Sequence, residues 1–184
     1  VFSFKELVWL LPAGAIIFGI YKLSKYLAAK SEKLLIITMV AIGVCSALLM
    51  NVAYNTKPCS DYSMIWNAAI KMANGSFAES LSSADYMYHY NWQIGIAFFE
   101  SIVVRLFGAN FFVLKIFNAI LMIATHYAIY FMCKKKFGYN VAVYAYVTSA
   151  LFLPWLLSVP QFTNHHLGIL LLLVSLYFLE KKQW

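Results

Sequence analysis

The residues best suited to chemistry sit between the second and third apolar runs. The stretch reads Asn55-Thr-Lys-Pro-Cys-Ser-Asp-Tyr-Ser-Met-Ile-Trp-Asn-Ala-Ala and continues through Gly75 to Tyr86-Met-Tyr-His-Tyr-Asn-Trp-Gln-Ile-Gly95. It holds three of the seven acidic residues (Asp61, Glu79, Asp85) and one of the four histidines, His89. A lone carboxylate such as Asp61 can take a proton from an attacking hydroxyl. In Ser60-Asp61-Tyr62-Ser63 it can equally cap the helix that follows. Lys57, His89, Arg105 and the pair His165-His166 are the groups that could hold an anion such as a departing phosphate. Asp85, Tyr88 and Gln93 are the remaining candidate substrate contacts. Tyr86, Tyr88, Tyr90 and Trp92 also read as an aromatic belt at a membrane interface, and Trp66 as a membrane anchor.

Composition decides what carries this stretch. The chain has 184 residues, 63% of them hydrophobic and 11% charged. Soluble domains carry about 25% charged residues. The sequence is therefore that of an all-α, polytopic membrane protein, a helical bundle with no nucleic-acid partner expected. It starts at Val1 without Met and stops just after an apolar run, which reads as a fragment, residues 1–184 forming one transmembrane domain. The first apolar run lacks the basic start and the cleavage site of a signal peptide.

In chain order, residues 7–23 form the first candidate span, followed by a basic segment, Lys22 to Lys33. Leu34 to Tyr54 is the clearest span, 21 residues without a charge, about the ~20 that a bilayer core requires. The long loop runs from Asn55, and Tyr62 to Ala73 has Ile65, Trp66, Ala69, Met72 and Ala73 at helical spacing. Trp92 to Phe107 is apolar but carries Glu100 and Arg105, which read as solvated. Phe111 to Cys133 is a span with His126 inside; Tyr139 to Ser158 is another, bent at Pro154; Leu167 to Leu179 is the last.

Charge fixes the expected topology. If Trp92–Phe107 lies along the surface, Lys22–Lys33, Lys134–Lys136 and Lys181–Lys182 share one side, nine basic residues against two acidic ones. That side then carries the whole formal charge of +7, and the other side, with five of each sign, carries none. This is the asymmetry of cytoplasmic loops. The expectation is five spans, an external N-terminus, and surface helices within an external loop, residues 55–110, in a multi-pass plasma (inner) membrane. Cys45, Cys59 and Cys133 fall at three different depths and show no metal-binding spacing.

The order of motifs resembles the GT-C superfamily of integral-membrane glycosyltransferases, nearest the protein O-mannosyltransferase and aminoarabinose-transferase branch. The likeness rests on a lone Asp after a span, an amphipathic helix ending in Asn74-Gly75, and Tyr88-His-Tyr-Asn-Trp-Gln-Ile-Gly95 leading to Arg105-Leu-Phe-Gly108. The turn Lys136-Phe-Gly138 between two later spans adds to it. The resemblance implies inverting transfer of a sugar from a polyprenyl-phosphate donor to an acceptor hydroxyl on the outer face, with Asp61 as general base. Donor lipid, membrane lipid and an acceptor protein, lipid or glycan are the implied partners. Many such enzymes carry a second acid at the outer end of a later span. Here that place reads Thr163-Asn-His-His166, so no metal cofactor is expected, and a divalent ion would have Asp61 and the histidines alone. A flippase for lipid-linked sugar and a non-catalytic scaffold are the alternatives; the first needs polar residues through the membrane, the second has no use for Asp61.

Overall fold

The computed structural model describes residues 10–53, 57–82, 84–160, 162 and 164–181, with only the backbone at 10, 11 and 164. Residues 7–9 of the first expected span lie outside the described residues, as do Lys5, Glu6, Asn55, Thr163, Lys182 and the other unlisted positions. The described chain is helical, with no strand. Among the described residues nine α-helices follow in order: α1 Leu10–Ala28, α2 Glu32–Ala53, α3 Asp61–Ala73, α4 Tyr86–His89, α5 Ile94–Phe107, α6 Phe111–Phe137, α7 Tyr139–Ala150, α8 Leu153–Ser158 and α9 Asn164–Glu180. Short 3-10 turns at Phe77–Leu81 and Asn91–Gln93 join the loop helices.

Among the described residues two helices, α2 and α6, are each long and apolar enough to cross a bilayer, and residues 165–180 form a shorter apolar helix. Large apolar side chains line the outside of the bundle, among them Leu49, Val52, Ile120 and Leu172. Water would not tolerate so much exposed apolar surface; lipid does. The molecule is an all-α membrane protein.

α6 is the central post. It packs against α7, α9, α2 and α5, and its residues enter all three apolar clusters. One cluster joins α3 and α5 to the start of α6 through Trp66, Met87, Ala97 and Leu114. At the far end Leu35, Met39, Tyr130 and Tyr146 join α2, α6 and α7. α2 packs against α6 and buries Leu35, Met39, Gly43, Ala47 and Asn51, a stripe repeating every four residues. At Gly43 even a β-carbon would come within 2.8 Å of Ile123, so a small residue is needed for this approach. Tyrosines hold α2 from across the bundle, the Tyr146 hydroxyl donating to the Met39 carbonyl at 2.9 Å and Tyr127 to that of Ile36 at 3.2 Å. Within apolar surroundings such bonds have no water to compete with them.

Three expectations need correction. The span expected over Tyr139–Ser158 is two helices, with a turn at Leu151–Phe152. Pro154 has no N–H, and its ring would strike the Ala150 carbonyl if the helix ran on. It is accommodated instead in the first turn of α8. The first span, expected to end at residue 23, runs on as α1 to Ala28 and takes the start of the basic segment into the helix. Trp66 is not a membrane anchor: it is buried and meets Phe111 edge-on, ring centres 5.5 Å apart, clasping α3 to α6. The two Phe-Gly turns do mark real helix ends. Gly108 and Gly138 have φ of 77° and 86° with extended ψ, a conformation that favours glycine, and each reverses the chain after a helix.

Candidate active site

α3 and α5 run side by side in the same direction. Their starts meet at a hollow of about 250 Å³, and their ends are tied by Arg105, whose Nη2 donates to the Met72 carbonyl at 3.1 Å. Ser60, Asp61 and Tyr62 line the hollow from the start of α3, Gln93 and Ile96 from the start of α5, and Phe162 and His165 from the approach to α9. Phe162 is held there by stacking on Phe99, centroids 5.7 Å apart and planes within 10°. The first turns of three helices therefore open onto one small polar space. The starts of α3 and α9 turn the positive ends of two helix dipoles toward it, while the start of α5 continues the 3-10 turn, the Asn91 carbonyl accepting from the Ile94 N–H.

Asp61 is the first residue of α3, and its N-cap is Ser60, which makes no side-chain cap. Ser60 has φ 50° and ψ −134°, a strained backbone for a residue with a β-carbon. Its carbonyl is fixed by the Ser63 hydroxyl at 2.6 Å and by the Ser63 and Met64 N–H groups. That fixes the direction in which the chain turns into α3, and so where Asp61 projects. Tyr86 reaches Asp61 from α4. Burial, and then the Asp61 carboxylate acting through charge and hydrogen bonding, push its phenol above the ordinary value. Sequence reading took Tyr86 for part of an interfacial belt. Its stacking on Tyr90 at 4.5 Å, which helps aim it, follows from a four-residue helical spacing visible in the sequence.

Asp61, Gln93 and His165 are thus brought together. The other candidates lie elsewhere. Asp85 caps α4, accepting from the Met87 N–H at 3.4 Å, and pairs with Lys71 at 3.5 Å. It borders a separate hollow with Asn67 and Ser80. Arg105 is nine residues beyond Ile96, about 14 Å along the helix axis, and holds α3. Lys57 is exposed and does not line the hollow. Tyr88 and His89 are exposed and meet edge-on at 5.4 Å. His165 and His166 part company, since neighbours on a helix point about 100° apart. His166 is fully buried, its Nε2 2.9 Å from the Ser158 hydroxyl. Among the described residues no three of His, Cys, Asp and Glu converge to hold a metal.

Glu100, read as solvated, is 2% exposed. It shares a face of α5 with Ile96, Ala97, Val103 and Val104, and one carboxyl oxygen finds no hydrogen-bond partner. Burial pushes its pKa up to about 8. No sequence signal separates it from a surface glutamate except that Ile96, four residues before it, and Val103, three after it, are apolar.

Residues 94–182 match the family described as dolichyl-phosphate-mannose-protein mannosyltransferase. The match over this segment supports a glycosyltransferase of the GT-C type. The segment runs from α5 through α9, and so includes Ile96, Phe162 and His165 of the hollow; Asp61 and Gln93 precede it. No curated protein and no solved structure matches the chain. Such transferases are integral membrane proteins, in keeping with the apolar helices of this chain.

Proposed function

We propose that this glycosyltransferase uses a polyprenyl-phosphate sugar and that the Asp61 hollow is where transfer takes place, on the extracytoplasmic side. The observation that carries the reading is the meeting of three helix starts around Asp61. A departing phosphate gains from unpaired N–H groups and positive dipole ends. Asp61 takes the proton from the acceptor hydroxyl as it attacks the anomeric carbon, the sugar–phosphate bond breaks, and configuration inverts. Tyr86 orients the carboxylate, and Gln93 and His165 offer hydrogen bonds to sugar or phosphate. The donor's lipid tail stays in the bilayer beside the hollow.

Asp61→Asn keeps the shape of the side chain and removes the proton acceptor. In the full-length enzyme, transfer from the polyprenyl-phosphate sugar should fall by roughly 10²-fold or more, with normal membrane insertion. Asp85→Asn is the control and should have a much smaller effect. Near-normal transfer by Asp61→Asn at normal expression would remove the base from this scheme.

A further inference from the structure

A second cavity lies far from the hollow. A trench of about 600 Å³ separates the later half of α6 from α9, walled by Phe131 and Met132 on one side and Leu173 and Val174 on the other. It begins some seventeen residues beyond Phe111, about 26 Å along α6 from the site. Its size is that of a small-ligand site, and its walls are almost wholly apolar. One end is different: Lys134 and Lys135 border it. Lys134 is bonded to Glu32, whereas Lys135 and Lys136 share a single carboxylate, Glu180, at 3.4 and 3.9 Å. Lys181 lies over the Tyr177 ring at 4.7 Å, beside the same mouth. Four lysines therefore face two carboxylates, and the mouth carries surplus positive charge.

An apolar slot in the bilayer with a cationic mouth matches a molecule with a long hydrocarbon chain and a negative head. Basic pockets between membrane helices hold anionic lipid headgroups in this way. We propose that the trench binds an anionic glycerophospholipid from the leaflet at the Lys134–Lys136 end of the bundle. One acyl chain lies between α6 and α9, and the phosphate sits at Lys135 and Lys136 in competition with Glu180. The lipid bridges the two helices along the trench, beside the Lys135–Glu180 and Lys136–Glu180 pairs that already join them. This rests on α6 and α9 lying in the bilayer and not on the role of Asp61.

Native mass spectrometry of the full-length protein in detergent tests it, with phosphatidylglycerol and phosphatidylcholine of the same acyl chains as probes. Wild-type protein should retain phosphatidylglycerol in preference. Lys135→Gln with Lys136→Gln should weaken its retention by about fivefold for each lysine, and leave phosphatidylcholine unchanged. Glu180→Gln should strengthen it, since the competing carboxylate is gone. Val174→Trp, which fills the slot, should abolish retention of the bound lipid while thermal stability holds. Equal retention of both lipids, or phosphatidylglycerol retention indifferent to these variants, overturns the proposal in favour of ordinary boundary lipid. So does a large loss of stability in Val174→Trp, which would mean that another helix occupies the trench. Lipid retention is read without sugar transfer, so failure here leaves the transferase reading where it was.

Discussion

Two carboxylates of this chain show how little residue type says without surroundings. Asp61 begins a helix at the edge of a hollow, exposed, with a tyrosine turned toward it. Glu100 lies two turns into the neighbouring helix, buried, with an unpartnered oxygen. Its raised pKa makes a stability prediction. An unfolded glutamate releases its proton near the reference value of 4.5, whereas the folded one keeps it to about 8. Between those values the folded state binds more protons than the unfolded state, so stability falls as pH rises, by up to about 1.4 kcal/mol per pH unit. Below 4.5 and above 8 this contribution is flat. Glu100→Gln cannot ionise and removes the slope. Thermal melts in detergent at pH 5 and pH 8 should therefore differ more for the wild type than for Glu100→Gln. Equal differences would mean that Glu100 finds a counter-charge or water when folded.

At the scale of elements, the broken span explains a polar residue in α6. α8 ends at Ser158 because the chain turns toward Phe162, and its last carbonyls have no helical donors. The Asn118 side-chain amide supplies them, donating to Ser158 at 3.1 Å and to Val159 at 3.0 Å. Ser158 in turn holds His166 through its hydroxyl. One asparagine thus secures the segment that carries Phe162 and His165 to the hollow. Asn118→Leu fits the volume but leaves those carbonyls unmet, at a cost of about 1–3 kcal/mol. The loss should appear as a lowered melting temperature in detergent, together with faster labelling of His165→Cys in the same background. An unchanged melt would show that the carbonyls find other donors. Sequence alone could not have paired these residues. Helix periods, Phe-Gly ends and the loop helix α3 were legible because each depends on near neighbours. The Asn118 contact joins positions forty apart, and the burial of Glu100, Trp66 and His166 depends on which helix arrives opposite. Even the Pro154 break, a local signal, reads in the sequence as a bend, because an unbroken apolar run says nothing about where carbonyls find donors.

For the whole molecule the open choice is whether α5 crosses the membrane, since this decides on which side every later segment lies. It has 14 residues, about 21 Å of helix, against a hydrocarbon core of about 30 Å. Its partner along that length is α3, with starts joined at the hollow and ends joined by Arg105. If α5 crossed, α3 would have to go with it, taking Asp61, Asn67 and Lys71 into hydrocarbon. Glu100, midway along α5, would then sit at mid-span, where a charged group costs at least about 2.5 kcal/mol on insertion scales. A surface position for both helices avoids this and leaves the +7 excess on a single face. The turn after α5 and the turn after α6 must then lie on opposite sides. Ala109 is exposed in the first turn and Asn140 just past the second, in the first turn of α7, and replacing them spares both turn glycines and every lysine. With Cys45, Cys59 and Cys133 removed, Ala109→Cys should react with a membrane-impermeant maleimide on intact cells, while Asn140→Cys should react only after permeabilisation. If α5 crosses, the two results exchange. Lys134–Lys136 would then move to the outer leaflet, Phe162 and His165 would change sides while Asp61 did not, and the charge asymmetry would disappear.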